Sequence, residues 1–182
     1  MEETGDVQKV KMEDDHTKVS ISKTDITDGK EIEGAKLQIL DQDGEVVESW
    51  TTGEEHLIEY LPVGTYTLHE EAAVDGYIVA NDVEFTVEET GEIQKVKMED
   101  ERAMGQLVIV KTDTDSKAAL EGVEFVLLEK ETGKEVGRLK TGKDGKAVSE
   151  LLPIGTYENG VFKEPITYVL KETATLKGYE KT

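Results

Sequence analysis

The sequence predicts an all-β fold, in which tandem β-sandwiches of about seven strands each are arranged end to end. Short runs of alternating apolar and polar residues are separated by turn pairs such as Asp43-Gly44 and Asp144-Gly145. No stretch shows a sustained helical period. Seven short strands with regular turns in about 85 residues are typical of a β-sandwich.

Seven strands are expected in the first unit, and each is bounded by turn chemistry. The first alternates Val19 and Ile21 with serines, and Asp28-Gly29 follows it. Asp43-Gly44 separates the second from the third, Pro62-Val63-Gly64 the fourth from the fifth, and Thr90-Gly91 the sixth from the seventh. The expected strands, in chain order, are 18–25, 35–41, 45–51, 56–61, 65–72, 82–88 and 93–100.

An internal repeat divides the chain. Residues 2–15 recur as residues 88–101 with eleven of fourteen positions identical. Five of the seven strands have counterparts in the second unit, which lacks the end of the first. We therefore predict a closing-strand remnant of a preceding repeat (1–15), a complete sandwich (16–101) and a second sandwich lacking its last strands (102–182).

Composition excludes several classes of function. The net charge is −20, which repels phosphate backbones and anionic lipid, so nucleic-acid partners and membrane insertion are not expected. There are no cysteines, no paired metal-ligand motif and no phosphate loop, so neither a metal nor a cofactor is expected. The N-terminus does not resemble a signal peptide, and we expect a piece of a longer secreted protein.

Ionisable residues recur on strand faces that otherwise belong to the core. Side chains two apart in a strand share a face, so each of these residues follows two apolar ones on its own side. They are Lys23, Glu70 and Asp100 in the first unit, Lys111 and Glu172 in the second, and Asp14 in the N-terminal segment. An end-of-strand position in solvent would explain any single case, but not the recurrence of the same residue types in both units.

A lysine and two carboxyl groups buried together allow two interpretations. They form a structural ion triad, or they react. Desolvation favours the neutral amine and the neutral acid, and proximity then favours an amide bond with loss of water. The product is neutral, so the cost of burying the charges disappears.

The motifs ISKTD, LPVGTYTLHEEAAVDGY and VKMED resemble those of Cna protein B-type (SpaA-like, prealbumin-like) domains, modules of Gram-positive surface proteins and pili. The resemblance covers residues 16–182 and implies an Ig-like, prealbumin-like sandwich. It also implies an intramolecular isopeptide bond between Lys23 and Asp100, assisted by Glu70. Lys111 and Glu172 match the same pattern without an acceptor strand, and Asp14 matches an acceptor without its own lysine and glutamate.

The resemblance implies a structural stalk module of an extracellular, cell-wall-anchored protein, whose partners are neighbouring repeats, and not an enzyme. No Tyr-Pro-Lys motif supports a polymerising pilin backbone. One alternative is an adhesin module that binds host protein or glycan, with an insertion at 158–167 as the candidate surface. A transthyretin-like small-molecule carrier is a further alternative by analogy of fold.

Overall fold

A computed structural model describes residues 9–181, which contain strands and turns but no helix, and so no helix that could cross a membrane. The first unit is built from β1 (Lys18–Asp25), β2 (Lys36–Leu40), β3 (Val46–Thr51), β4 (His56–Glu59), β5 (Gly64–Ala72), β6 (Tyr77–Ile78), β7 (Val83–Val87) and β8 (Ile93–Arg102). The second is built from β9 (Met104–Gly105), β10 (Val108–Val110), β11 (Glu124–Glu129), β12 (Glu135–Lys140), β13 (Lys146–Val148), β14 (Leu152–Pro153), β15 (Gly155–Glu158), β16 (Val161–Pro165) and β17 (Tyr168–Ala174).

The first unit is a sandwich of two four-stranded sheets, with strand orders β4-β1-β8-β6 and β3-β2-β5-β7. The first and last long strands, β1 and β8, are parallel neighbours over their whole shared length. Their register aligns Lys23 with Met98 and Asp25 with Asp100. The parallel pairing therefore places the ends of β1 and β8 side by side at the same edge of the sandwich.

The core of the first unit lies between the two sheets. Eight of its nine buried side chains come from alternate positions of the facing strands, and the ninth, Leu61, follows β4: Val19, Ile21, Leu37, Ile39, Leu61, Tyr66, Leu68, Val87 and Met98. Burial of an aliphatic or aromatic side chain of this size contributes about 1.5–3 kcal/mol to the stability of the fold. Because these side chains fill the space between the sheets, the described residues of the first unit leave no interior cavity there of the kind that a small-molecule carrier would need.

All seven strands predicted for the first unit are present, and their ends agree within two residues. The sequence did not indicate β6, because two residues are too few to show an alternating pattern. This short strand pairs with the end of β8, Tyr77 with Arg102 and Ile78 with Glu101. It therefore extends the sheet on the far side of the closing strand.

The second unit repeats part of this plan. Strands β12-β11-β17 correspond to β3-β2-β5, and β10 pairs with β13 as β1 pairs with β4. Within the described residues no strand of the second unit corresponds to β7 or β8. An open groove of about 350 Å³ in this unit is lined by apolar side chains that include Leu107, Leu127 and Leu170.

The N-terminal segment differs from the expectation of a closing strand. Residues 9–17 form no strand, and Val10 and Met12 are more than four-fifths exposed. The matching side chain Met98 in β8 is buried. A closing strand is held by its pairing with a first strand, and the described part of this segment has no such pairing. Residues 1–8 lie outside the described part.

Candidate self-crosslinking site

Three strands bring the predicted residues Lys23, Glu70 and Asp100 together. Lys23 lies on β1 and Asp100 on the adjacent parallel strand β8, two residues beyond the position that pairs with Lys23. Glu70 lies on β5 in the facing sheet. Because each residue follows two apolar side chains on the core face of its strand, all three point between the sheets. The site is thus the polar end of the hydrophobic core.

The three side chains are almost completely withdrawn from solvent, with exposed fractions of 1% for Lys23, 2% for Glu70 and 0% for Asp100. Lys23 Nζ lies 3.0 Å from Glu70 Oε1 and donates a hydrogen bond to Asp100 Oδ1. Glu70 Oε2 accepts a hydrogen bond of 2.6 Å from the backbone N–H of Ala80, which holds the carboxyl group in place. The amine therefore contacts both carboxyl groups at once.

One oxygen atom of the site is left without a partner. Asp100 Oδ2 is buried and has no hydrogen-bond partner among the described residues. Glu70 Oε1 makes no hydrogen bond of ordinary geometry, but it lies 3.0 Å from Lys23 Nζ. A buried unsatisfied carboxylate oxygen is costly, and the geometry fits an ion triad and a reacting set alike.

Burial raises the pKa of Asp100 from 3.8 to about 6. Desolvation is the largest cause; the hydrogen bond and charge of Lys23 act in the opposite direction, and nearby Glu70 adds to the rise. A carboxyl group with this pKa spends part of its time protonated near neutral pH. A neutral acid in contact with an amine is the pair that amide formation requires.

Replacing Lys23 by methionine is expected to make the stability of the first unit depend on pH in a defined direction. The native state then holds Asp100 without its cation, and its pKa lies at or above about 6. Since the unfolded pKa is lower, the native state binds more protons between the two values, and stability falls as the pH rises. A rise from 3.8 to about 6 corresponds to about 3 kcal/mol.

Urea unfolding of Lys23→Met between pH 4 and pH 8 measures this effect. The double variant Lys23→Met, Asp100→Asn has no carboxyl group at this position and is the control. The free energy of unfolding of this double variant should not fall between pH 4 and pH 8. An equal pH dependence in both variants would show that Asp100 is not the group that titrates.

In the second unit only part of the site is formed. Lys111 Nζ donates a hydrogen bond of 2.8 Å to Glu172 Oε2, and the Glu172 side chain is 1% exposed. The described residues supply no strand beside β10 that could carry an acceptor, because β10 pairs only with β13. Asp14 is exposed and belongs to no strand. The described contacts thus include one complete triad in the first unit and a contact between Lys111 and Glu172 in the second.

Sequence reasoning gave no role to a second buried cluster directly beyond the triad. Asp25 is fully buried and accepts hydrogen bonds of 2.7 Å from the Tyr77 hydroxyl and 2.6 Å from Arg102 Nε. Asp25 and Arg102 lie on β1 and β8, two residues past Lys23 and Asp100. The sequence contains a signal for this cluster, because Asp25 of Lys-Thr-Asp and Tyr77 of Gly-Tyr recur in the second unit as Asp113 and Tyr179.

A family model described as the SpaA prealbumin-like fold domain matches residues 17–102 and, separately, residues 105–182. The chain belongs to this family. Both units are therefore prealbumin-like domains, as the sequence motifs implied, and the all-β tandem fold is confirmed. The family match establishes the fold of both units, and the structural role that the motifs imply is a separate question.

Solved structures of similar proteins include the Bacillus anthracis TIE protein, which is 31% identical with a TM-score of 0.60 over 92% of this chain and 30% of that one. A streptococcal ancillary pilin is 21% identical, with a TM-score of 0.45 over 94% of this chain and 57% of that one. The shaft pilin SpaA from Lactobacillus rhamnosus GG is 18% identical, with a TM-score of 0.42 over 91% of this chain and 90% of that one. No curated protein sequence matches the chain. The prealbumin-like pair spans less than a third of the TIE protein.

Proposed function

We propose that the protein is a stalk module of a cell-surface protein whose first unit crosslinks itself through an isopeptide bond between Lys23 and Asp100. The observation that supports this is the buried contact of one amine with two carboxyl groups. The bond would join β1 to β8, and these are the first and last long strands of the unit. In a surface module without cysteines, this bond would supply the stabilisation that a disulfide crosslink gives other extracellular domains.

The reaction balances without any further reactant. A proton passes from the Lys23 ammonium group to the carboxyl pair, which leaves a neutral amine beside a neutral acid. Nζ then attacks Cγ of Asp100, the N–C bond forms, and the bond from Cγ to one carboxyl oxygen breaks. Glu70 carries protons from Nζ to that oxygen, which leaves as water. Contact between the reacting groups replaces a bimolecular encounter, and the neutral product removes the cost of buried charge.

Intact mass spectrometry of the unfolded protein tests the proposal. The chain is expected to be one water lighter than its sequence, and Lys23→Met and Glu70→Gln are each expected to have the full mass of their own sequence. Lys111→Met is the matched control, because it removes the corresponding lysine of the second unit, and it should keep the loss of one water. A parent protein with its full sequence mass would overturn the proposal.

The proposed setting is extracellular and attached to the cell wall, with neighbouring repeats of the same protein as partners. Membership of a family found in pilin shafts supports a surface location. The repeat of residues 2–15 as 88–101 supports partners of the same kind, because it indicates a series of related modules. Force applied along such a series pulls on first and last strands, which the proposed bond would hold together.

The adhesin alternative depended on the insertion at 158–167. In the structure this insertion belongs to the hairpin of β15 and β16, whose tip packs against the first unit. The contacts of its tip residues are therefore explained within the chain. Binding of a host protein or glycan stays an untested prediction, and no observation favours it over the structural function.

A further inference from the structure

The hairpin formed by β15 and β16, residues 155–165, connects the two units by contacts of its tip. Its turn, Asn159-Gly160, has positive φ at both residues (51° and 74°), as a two-residue hairpin turn requires. The Gly160 carbonyl oxygen lies 2.9 Å from the Tyr77 hydroxyl oxygen in the first unit and shares its single proton with Asp25. The Tyr157 hydroxyl in turn donates to the carbonyl oxygen of Gly76.

Aromatic side chains complete this contact. Tyr157 meets Tyr77 edge to face with ring centroids 5.3 Å apart, and it meets Phe162 of the same hairpin in the same way at 5.6 Å. The Arg102 guanidinium at the end of β8 lies 4.4 Å from the centre of the Tyr157 ring. Such cation–π and edge-to-face contacts add to the stabilisation from simple burial.

Two glycines permit the hairpin and the first unit to approach closely. A Cβ atom added to Gly76 would lie 2.4 Å from Cδ2 of Phe162, and one added to Gly160 would lie 2.5 Å from the carbonyl oxygen of Glu31. Real Cβ atoms do not come so close to other heavy atoms, so the docked arrangement requires glycine on each side. The two surfaces therefore fit each other in detail.

The receiving surface, which we call the socket, consists of Asp25, Gly76, Tyr77 and Arg102. Asp25 holds the side chains of Tyr77 and Arg102 in place, since it accepts hydrogen bonds from the Tyr77 hydroxyl and Arg102 Nε. The socket therefore stands on the ends of β1 and β8, directly beyond the proposed bond. A hairpin seated there covers the edge of the unit at which its first and last strands come together.

The second unit shows the corresponding surface without a hairpin on it. Asp113 lies close enough to Tyr179 there that its charge raises the pKa of the tyrosine hydroxyl. A Cβ added to Gly178, the counterpart of Gly76, would meet nothing within 4 Å. Tyr179 is 41% exposed, whereas Tyr77 is 8% exposed. In the first unit both the hairpin and β8, with which Tyr77 pairs, cover the tyrosine.

We propose that the hairpin of residues 155–165 is an intermodular clasp that docks into the socket of the preceding unit and fixes the relative orientation of consecutive modules. The linker alone leaves little freedom, because only Ala103 separates β8 from β9. The clasp removes the remaining rotation by a second attachment on one side of that linker. This inference does not depend on the isopeptide bond, because its contacts are all noncovalent.

Distance measurement between two spin labels tests the clasp in the full chain. The protein has no cysteines, so Gln42→Cys in the first unit and Lys143→Cys in the second, both in exposed turns, give two unique labelling positions. The parent is expected to show a single narrow distance distribution. Gly160→Ala is expected to lose it, because its new methyl group collides with the backbone at Glu31.

Gly133→Ala is the matched control for this variant. Gly133 also lies in an exposed hairpin turn of the second unit with nearly the same positive φ, 69°, but a Cβ there meets nothing within 4 Å. It carries the same backbone strain without the collision, and the narrow distribution should persist. A narrow distribution in Gly160→Ala, or equal broadening in both variants, would overturn the proposal.

Substitutions on the socket side of the contact give a second, independent pair of test and control variants. Gly76→Ala places a methyl group against Phe162, whereas Gly29→Ala in the same unit has a positive φ of 70° and open space around it. Gly76→Ala should broaden the distribution and Gly29→Ala should not; a narrow distribution in Gly76→Ala would contradict the clasp. The intact mass of every variant should stay one water below its sequence, which separates failure of the clasp from failure of the proposed bond.

Discussion

Replacing Glu70 by glutamine is expected to remove the isopeptide bond and, with it, a large part of the stability of the first unit. Glutamine keeps the size of the side chain but cannot carry protons from Lys23 Nζ to the leaving oxygen. The bond would join residues 77 positions apart. Loss of a crosslink that closes a loop of this length costs about 4–5 kcal/mol on the chain-entropy model.

For a domain of this size such a loss lowers the melting temperature by about 20 °C or more. Calorimetry of the parent and of Glu70→Gln measures the shift of the first-unit transition. The same substitution in a Lys23→Met background is the control, because no bond can form there. If Glu70→Gln costs as much in that background as in the parent, the loss comes from packing or charge, and the crosslink does not explain it.

Replacing Asp25 by alanine is expected to destabilise the first unit by about 3 kcal/mol, because it leaves Tyr77 and Arg102 without their buried acceptor. Asp25 is fully buried and also accepts a hydrogen bond of 2.7 Å from the backbone N–H of Thr27. Asp28→Ala is the control. It removes the other carboxylate bound to Arg102, at 2.9 Å, but that carboxylate is exposed, and exposed pairs contribute at most about 1 kcal/mol.

The effect of Asp25→Ala should also depend on pH. Burial by itself would raise the pKa of Asp25, but hydrogen bonds from Thr27, Tyr77 and Arg102 outweigh it and lower the pKa below its usual value. The stabilisation is therefore present above the unfolded pKa and is lost as the pH falls through the folded one. Denaturant unfolding should show the difference from the parent shrinking in acid. A loss no larger than that of Asp28→Ala would contradict this role.

The strands of the first unit could be predicted because two local signals agree. Alternation along a strand follows from the two-residue period of side chains, and hairpin turns need residues such as Gly44, whose positive φ of 81° suits glycine. The same alternation placed Lys23, Glu70 and Asp100 on core faces. Recurrence in the second unit, with Lys111 and Glu172, separated this pattern from chance.

Long-range contacts could not be predicted in the same way. The two-residue strand at Tyr77 has no periodic signal, and its role depends on pairing with β8. The N-terminal segment shows the limit clearly, because Met12 has the same neighbours in sequence as Met98 yet is exposed. An identical pattern becomes a strand only when a partner strand lies beside it.

By itself the sequence determined the strand order along the chain, the core faces and the three residue types of the proposed crosslink, because these depend on side-chain period and on identity at fixed positions. Only the tertiary structure decided that β1 and β8 are parallel neighbours, that Glu70 reaches Lys23 from the opposite sheet, and that the hairpin of one unit docks on the other. Those features depend on distances between residues far apart in sequence, which packing of the two sheets and the two units sets.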